Sequence, residues 1–169
     1  MTPIALRLLR ATDGPAYAEY FARGTLSHPD TLRIAPSDFA QAPFSVEPTA
    51  DAATFAAVEL DASGVERWLG VGAVERERGR IKRRHIAWIV RMLVTEPGRG
   101  VGRALLRGLR AHAATMPGVA KLNLTVAAHN VAAVHLYTSE GFREFGREDD
   151  AFRVGDRGVV ELSMSRAIS

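Results

Sequence analysis

The sequence contains no cysteine, which excludes disulfide bridges, thiolate metal sites and a cysteine nucleophile, and permits a reducing compartment. Lysine is nearly absent as well. Lys82 and Lys121 are the only two among 22 basic residues, and the rest are arginine. No stretch approaches the roughly 18 consecutive apolar residues that a membrane span requires. The opening "MTPIALRLLRATDG" has a short apolar run broken by Arg7 and Arg10, without the long apolar centre and small-residue cleavage site of a signal peptide. These absences give the expectation of a cytoplasmic protein with no membrane partner.

What is present fits one globular domain spanning residues 1–169. The chain is long enough to bury a real core, and it is 47% hydrophobic and 24% charged. The net charge is +3, but the arginines are spread along the chain. The densest group, "ERERGRIKRRH" from Glu75 to His85, mixes both signs and reads as a solvated hairpin. Nucleic-acid binders concentrate their charge and interleave aromatic residues, so no nucleic-acid partner is expected.

"IALRLLRA" from Ile4 alternates as a first strand, and Thr12 or Asp13 is placed to cap a helix through "GPAYAEYFARG". Prolines 29, 36, 43 and 48 make the stretch from Ser27 to Ala53 loops and short helical pieces. Strand patterns follow in "TFAAVEL" and "RWLGVGAVERE", whose glycines mark a bulge or a close backbone approach. "HIAWIVRMLV", from His85 to Val94, is the near-continuous apolar run of a sheet interior. A helix ends at "MPGV", "KLNLTV" is a strand, Asn130 opens a helix that Gly141 ends, and "GVVELSMS" supplies a last strand. Consecutive strands followed by alternating strands and helices predict an α/β fold with a mixed central sheet flanked by helices.

Chemistry is concentrated in two stretches. The first, "MLVTEPGRGVGRALLRGL", carries a strand through a glycine loop into an amphipathic helix whose buried stripe is Leu105, Leu106, Leu109 and Ala113. Such a loop lets an anion approach the free amides of the first helical turn. It is not a Walker loop, because Gly102 is followed by Arg103 and Ala104 rather than Lys-Ser or Lys-Thr. Nor is it a dinucleotide fingerprint, because the next glycine, Gly108, comes too late. A tight turn with glycines for geometry alone is the competing reading. Arg99 and Arg103 lie where a helix dipole disfavours cations by about a few tenths of a kcal/mol, a sign that a bound polyanion would reverse.

The second stretch is "LTVAAHNVAAVHLYTSEGF". Asn130 and Tyr137 are seven residues apart, which at about 100° per residue places both on one helix face with Ala133 between them. A simple cap and a core aromatic would produce the same spacing.

Together the two stretches resemble the GNAT superfamily of N-acetyltransferases. That superfamily carries a V-x-x-x-x-R/Q-x-x-G-x-G/A loop followed by N-x-x-A-x-x-x-Y-x-x-x-G-F, here Asn130, Ala133, Tyr137, Gly141 and Phe142. The match covers about half the chain, from His85 to Met164. Arg99, Gly102 and Ala104 satisfy the literal arginine motif. The helix has the family's phase only if Gly100 and Gly102 take the glycine positions, which puts Pro97 at the arginine position and shortens the loop by two residues.

The resemblance implies a GNAT-like fold in which two parallel strands splay to form an acyl-coenzyme A cleft, with acetyl-coenzyme A as co-substrate and no metal. Pyrophosphate would lie on the backbone of Arg99, Gly100, Val101, Gly102, Arg103 and Ala104, and the pantetheine arm along Leu93 and Val94. Asn130 would bond the arm, and Tyr137 would act as general acid on the departing thiolate. The acceptor would be a small-molecule or protein amine, received by a pocket built from the Ser27 to Ala53 region and the hairpins. Many relatives place a glutamate on the strand before the loop. That strand has no acid here, so Glu59, Glu75 and His85 are the candidate bases. His112, His129 and His135 lack metal-like spacing and read as structural or solvated. A non-catalytic GNAT-like module that holds a coenzyme A species is the alternative, and a homodimer is left open.

Overall fold

Seven strands among the described residues form one sheet, and their order in space is what creates the site. The computed structural model describes residues 3–35, 37, 45–77 and 79–168. The strands are β1 (Ala5–Leu8), β2 (Ala52–Leu60), β3 (Glu66–Arg76), β4 (Ile86–Val94), β5 (Lys121–Ala127), β6 (Arg143–Val154) and β7 (Arg157–Ala167). Helices α1 (Gly14–Ser27), α2 (Val101–Thr115) and α3 (Val131–Ser139) accompany them. The single sheet runs β1-β2-β3-β4-β5-β7-β6, antiparallel throughout except where β4 meets β5. This is the mixed α/β fold expected from the pattern of elements.

α1 covers one face of the sheet through Tyr17, Tyr20 and Phe21, packed on Val58, Val71 and Leu93. α2 covers the other with the predicted stripe of Leu105, Leu106, Leu109 and Ala113, all buried. The β3 glycines serve close approach. A Cβ at Gly70 would lie 2.9 Å from Leu105 Cδ1, and one at Gly72 would lie 3.0 Å from Leu109 Cδ1.

Three expectations need correction. Asp13 does not cap α1 with its side chain. Its Oδ2 accepts from the Arg10 amide at 2.8 Å, closing a short 3₁₀ turn over Ala11–Asp13, and its carboxylate pairs with Arg7. The charged stretch from Glu75 to His85 is exposed over much of its described length, yet Arg76, the last residue of β3, is buried. Its guanidinium donates to Asp51, Arg84 O and Pro117 O, so this arginine ties loops together. β6 escaped the sequence reading because "REFGREDDAFRV" has no apolar alternation; it is a mostly exposed edge strand held by its pairing with β7. Of the proline-rich segment, residues 36 and 38–44, including Pro36 and Pro43, lie outside the described residues.

Candidate active site

β4 and β5 begin as partners and then part. Only Ile86↔Lys121, Ala87↔Leu122 and Trp88↔Asn123 pair across them. Beyond that point β4 stays with β3 as far as Val94, and β5 stays with β7 as far as Ala127. The facing edges open a cleft of about 680 Å³. Its floor is β4 from Trp88 to Val94, one wall is Leu124, Thr125 and Val126, and the other features are the glycine loop, α3 and residues 28–34.

The floor carries a bulge. The register between β3 and β4 shifts between Val71 and Ala73, and Arg91 adopts φ +52°, a left-handed conformation uncommon for a residue with a side chain. Its guanidinium is buried and donates to Glu75 Oε1 at 2.5 Å, which anchors the bulge from beneath.

At the C-terminal end of β4, Gly98 and Gly100 take φ +84° and +78°, conformations that glycine adopts without strain. Gly100 is the N-cap of α2, the helix phase that goes with Gly100 and Gly102 as the motif glycines. The first intrahelical bond runs from Ala104 N to Gly100 O at 3.0 Å. The amides of Val101, Gly102 and Arg103 therefore precede the helical ladder. Gly102 also admits α3, since a Cβ there would lie 3.0 Å from Leu136 Cδ2.

Asn130 caps α3 as its spacing predicts, accepting from Ala133 N at 3.2 Å through Oδ1. Its amide nitrogen remains a donor. Asn130, Ala133 and Tyr137 all line the cleft. The Tyr137 hydroxyl donates to Met92 Sδ at 3.7 Å, and burial pushes the phenol up to about 12.

Of the proposed binding residues, Leu93, Val94, Gly100, Val101, Gly102, Arg103, Asn130 and Tyr137 line the cleft, whereas Arg99 and Ala104 do not. Arg99 is turned to Glu59 and Glu96, and Ala104 has already spent its amide on Gly100. The arginines of α2 are also accounted for within the protein. Arg103, Arg107 and Arg110 converge on buried Glu140, whose carboxyl is held below the usual range by Arg107 and then Arg103. An internal carboxylate, and not only a bound anion, balances the cations near this helix start.

None of the candidate bases lines the cleft. Arg99, then Arg67, hold Glu59 down at about 2. Glu75 is bound to Arg91, and His85 is exposed at the start of β4. Buried Glu161 on β7 does line the cleft, and sequence reasoning missed it because it sits in a strand whose pairing partners are distant in the chain. Among the described residues no group of three or more His, Asp or Glu could hold a metal ion, and no helix is long and apolar enough to cross a membrane.

The sequence matches the model of the Acetyltransferase (GNAT) family over residues 26–142. The chain belongs to the acetyltransferase (GNAT) family. Solved structures carry the same fold over nearly the whole chain. A GCN5-related N-acetyltransferase from Kribbella flavida is 27% identical with a TM-score of 0.78, and 97% of each chain is covered. A GNAT-family acetyltransferase from Streptococcus pneumoniae is 19% identical with a TM-score of 0.79, covering 98% of this chain and 99% of its own. Arabidopsis thaliana NAA60 in complex with acetyl-CoA is 19% identical with a TM-score of 0.74, covering 98% and 99%. No curated protein sequence matches the chain significantly. Within the GNAT family, then, this member has a short glycine loop and no acid on β4.

Proposed function

We propose that this GNAT protein transfers an acetyl group from acetyl-coenzyme A directly to a primary amine of a small molecule or a protein. The observation that carries the reading is the parting of β4 from β5, with Tyr137 in the gap and the leading amides of α2 at its end. The residues present suit the co-substrate: an extended arm matches the open strand edge, and a diphosphate matches the amides of residues 101–103. When bound, the co-substrate supplies an acyl group activated as a thioester.

The remaining chemistry belongs to the chain. Val94 and Leu93 present backbone along the cleft floor, where an amide is suited to stabilise a developing oxyanion. Asn130 offers its side-chain amide to the arm while its oxygen holds the helix start. Tyr137 is a neutral phenol at physiological pH, as a free tyrosine is, and burial raises it further, to about 12. Its hydroxyl lines the cleft, where it is suited to donate to the departing sulfur, the general-acid role that the family resemblance implies. The incoming amine must be neutral to attack, and the proton it releases as the amide forms balances the one taken up by the departing thiolate.

A second reading, a domain that holds coenzyme A without turnover, is favoured by the short loop and the absence of an acid on β4. Thermal melting with acetyl-coenzyme A, followed by thiol release across a panel of primary amines, separates the two. Ligand at 100 times its dissociation constant stabilises the fold by about 2.7 kcal/mol. A shift with turnover supports the transferase, a shift with no turnover supports the module, and no shift at millimolar ligand defeats both.

A further inference from the structure

Burying a carboxylate is costly unless cations or hydrogen-bond donors compensate it. Glu140 and Glu161 are both buried, but they are compensated differently. Glu140 is held by three arginines of α2. Glu161 stands on β7 opposite Ala127 of β5 and Glu148 of β6, and its side chain, only 6% exposed, faces the cleft. Its cation is Arg33, which comes from the segment after α1 on the other side of the cleft and remains 46% exposed. Arg33 divides its guanidinium between Glu161 and Glu148, the latter at 3.0 Å. Glu161 Oε2 is sealed from solvent and takes this ion pair. The other lining carboxylate, Glu96, is locked by Arg67 and Arg99.

The geometry points to a cation subsite on the β7 side of the cleft, beside the C-terminal end of β5. Glu161 is the counter-ion for an ammonium or guanidinium group of the acceptor, and Arg33 occupies its place until that group displaces it. The word acceptor rests on the acetyl-transfer reading; the subsite itself rests on the ion pair. Moving Arg33 away uncovers a buried carboxylate, so only another cation can take its place, and one enclosed in the cleft meets that carboxylate at lower dielectric than the half-exposed guanidinium does. Exchange therefore favours a cationic acceptor over a neutral one, which gains nothing from Glu161.

Arg33→Ala vacates the subsite, and propylammonium chloride and methylguanidinium chloride are the probes, with sodium chloride at equal ionic strength as baseline. Melting curves are recorded with and without saturating acetyl-coenzyme A. The variant is expected to bind propylammonium at least tenfold more tightly than the unaltered protein. Probe at ten times its dissociation constant raises the folding equilibrium constant about elevenfold. Adding Glu161→Gln to Arg33→Ala abolishes the effect. Equal probe affinity in the two proteins, or binding that survives Glu161→Gln, overturns the inference. Arg33→Met, which keeps the aliphatic stem, replaces Arg33→Ala if that variant does not fold. The acetyl-coenzyme A shift on the same samples reports separately on the acetyl-transfer reading, so loss of one result is not mistaken for loss of the other.

Discussion

Arg103 and Glu140, 37 residues apart in sequence, meet at 2.5 Å between the first turn of α2 and the end of α3. This contact joins the glycine loop to the helix that carries Asn130 and Tyr137, so the two halves of the cleft are braced by one buried carboxylate. Arg107 and Arg110 reach the same group.

Glu140→Gln is expected to destabilise the fold by about 1–3 kcal/mol, because three cations lose their common partner. The pH dependence follows from the depressed carboxyl of Glu140. Its contribution is present above the ordinary glutamate range and is lost as pH falls through the depressed value. Denaturant titrations from neutral to acidic pH should therefore show a shallower acid limb in the variant. An unchanged limb would remove Glu140 from this role.

Tyr137→Phe should lower kcat by about a hundredfold, the low end of acid–base effects, while the melting shift given by acetyl-coenzyme A persists. The alkaline limb offers a second check. A phenol raised to about 12 in the fold ionises first in the unfolded chain, so its stability contribution is lost as pH rises from about 10 towards 12. The Phe variant should lose less stability over that window, with buried Tyr17 and Tyr20, both also raised, accounting for the remainder. Unchanged turnover in the variant would remove the hydrogen bond to sulfur from the mechanism.

Much of this molecule is legible from local pattern. The stripe of α2, the apolar run of β4, the Asn130 cap and the shared face of Asn130, Ala133 and Tyr137 all follow from spacing within one element. What spacing does not reveal is partnership across the chain. Arg99 and Arg103 look like cations waiting for phosphate until Glu59, Glu96 and Glu140 are brought beside them. Glu161 looks like a surface acid until β5 and residues 28–34 enclose it. β6 carries the polarity of a loop and becomes a strand through β7.

Gly100→Ala forces a side chain into a left-handed conformation at the N-cap of α2, at a cost of about 1–2 kcal/mol. Gly118→Ala is the matched control, with φ +75° in the turn after α2 and no cleft contact. Both variants should melt lower by similar amounts, but only Gly100→Ala should also weaken acetyl-coenzyme A binding. Equal ligand shifts in the two would show that the loop conformation does not serve the ligand.

The central claim is that the gap between β4 and β5 receives a thioester arm whose diphosphate rests on the start of α2. Amide chemical shifts followed during titration with acetyl-coenzyme A test it residue by residue. The account predicts the largest changes at Leu93, Val94, Val101, Gly102 and Arg103, with a lesser change at Asn130 and none on the exposed edge strand β6. Saturable changes confined to other surfaces, with those five amides unmoved, would contradict it.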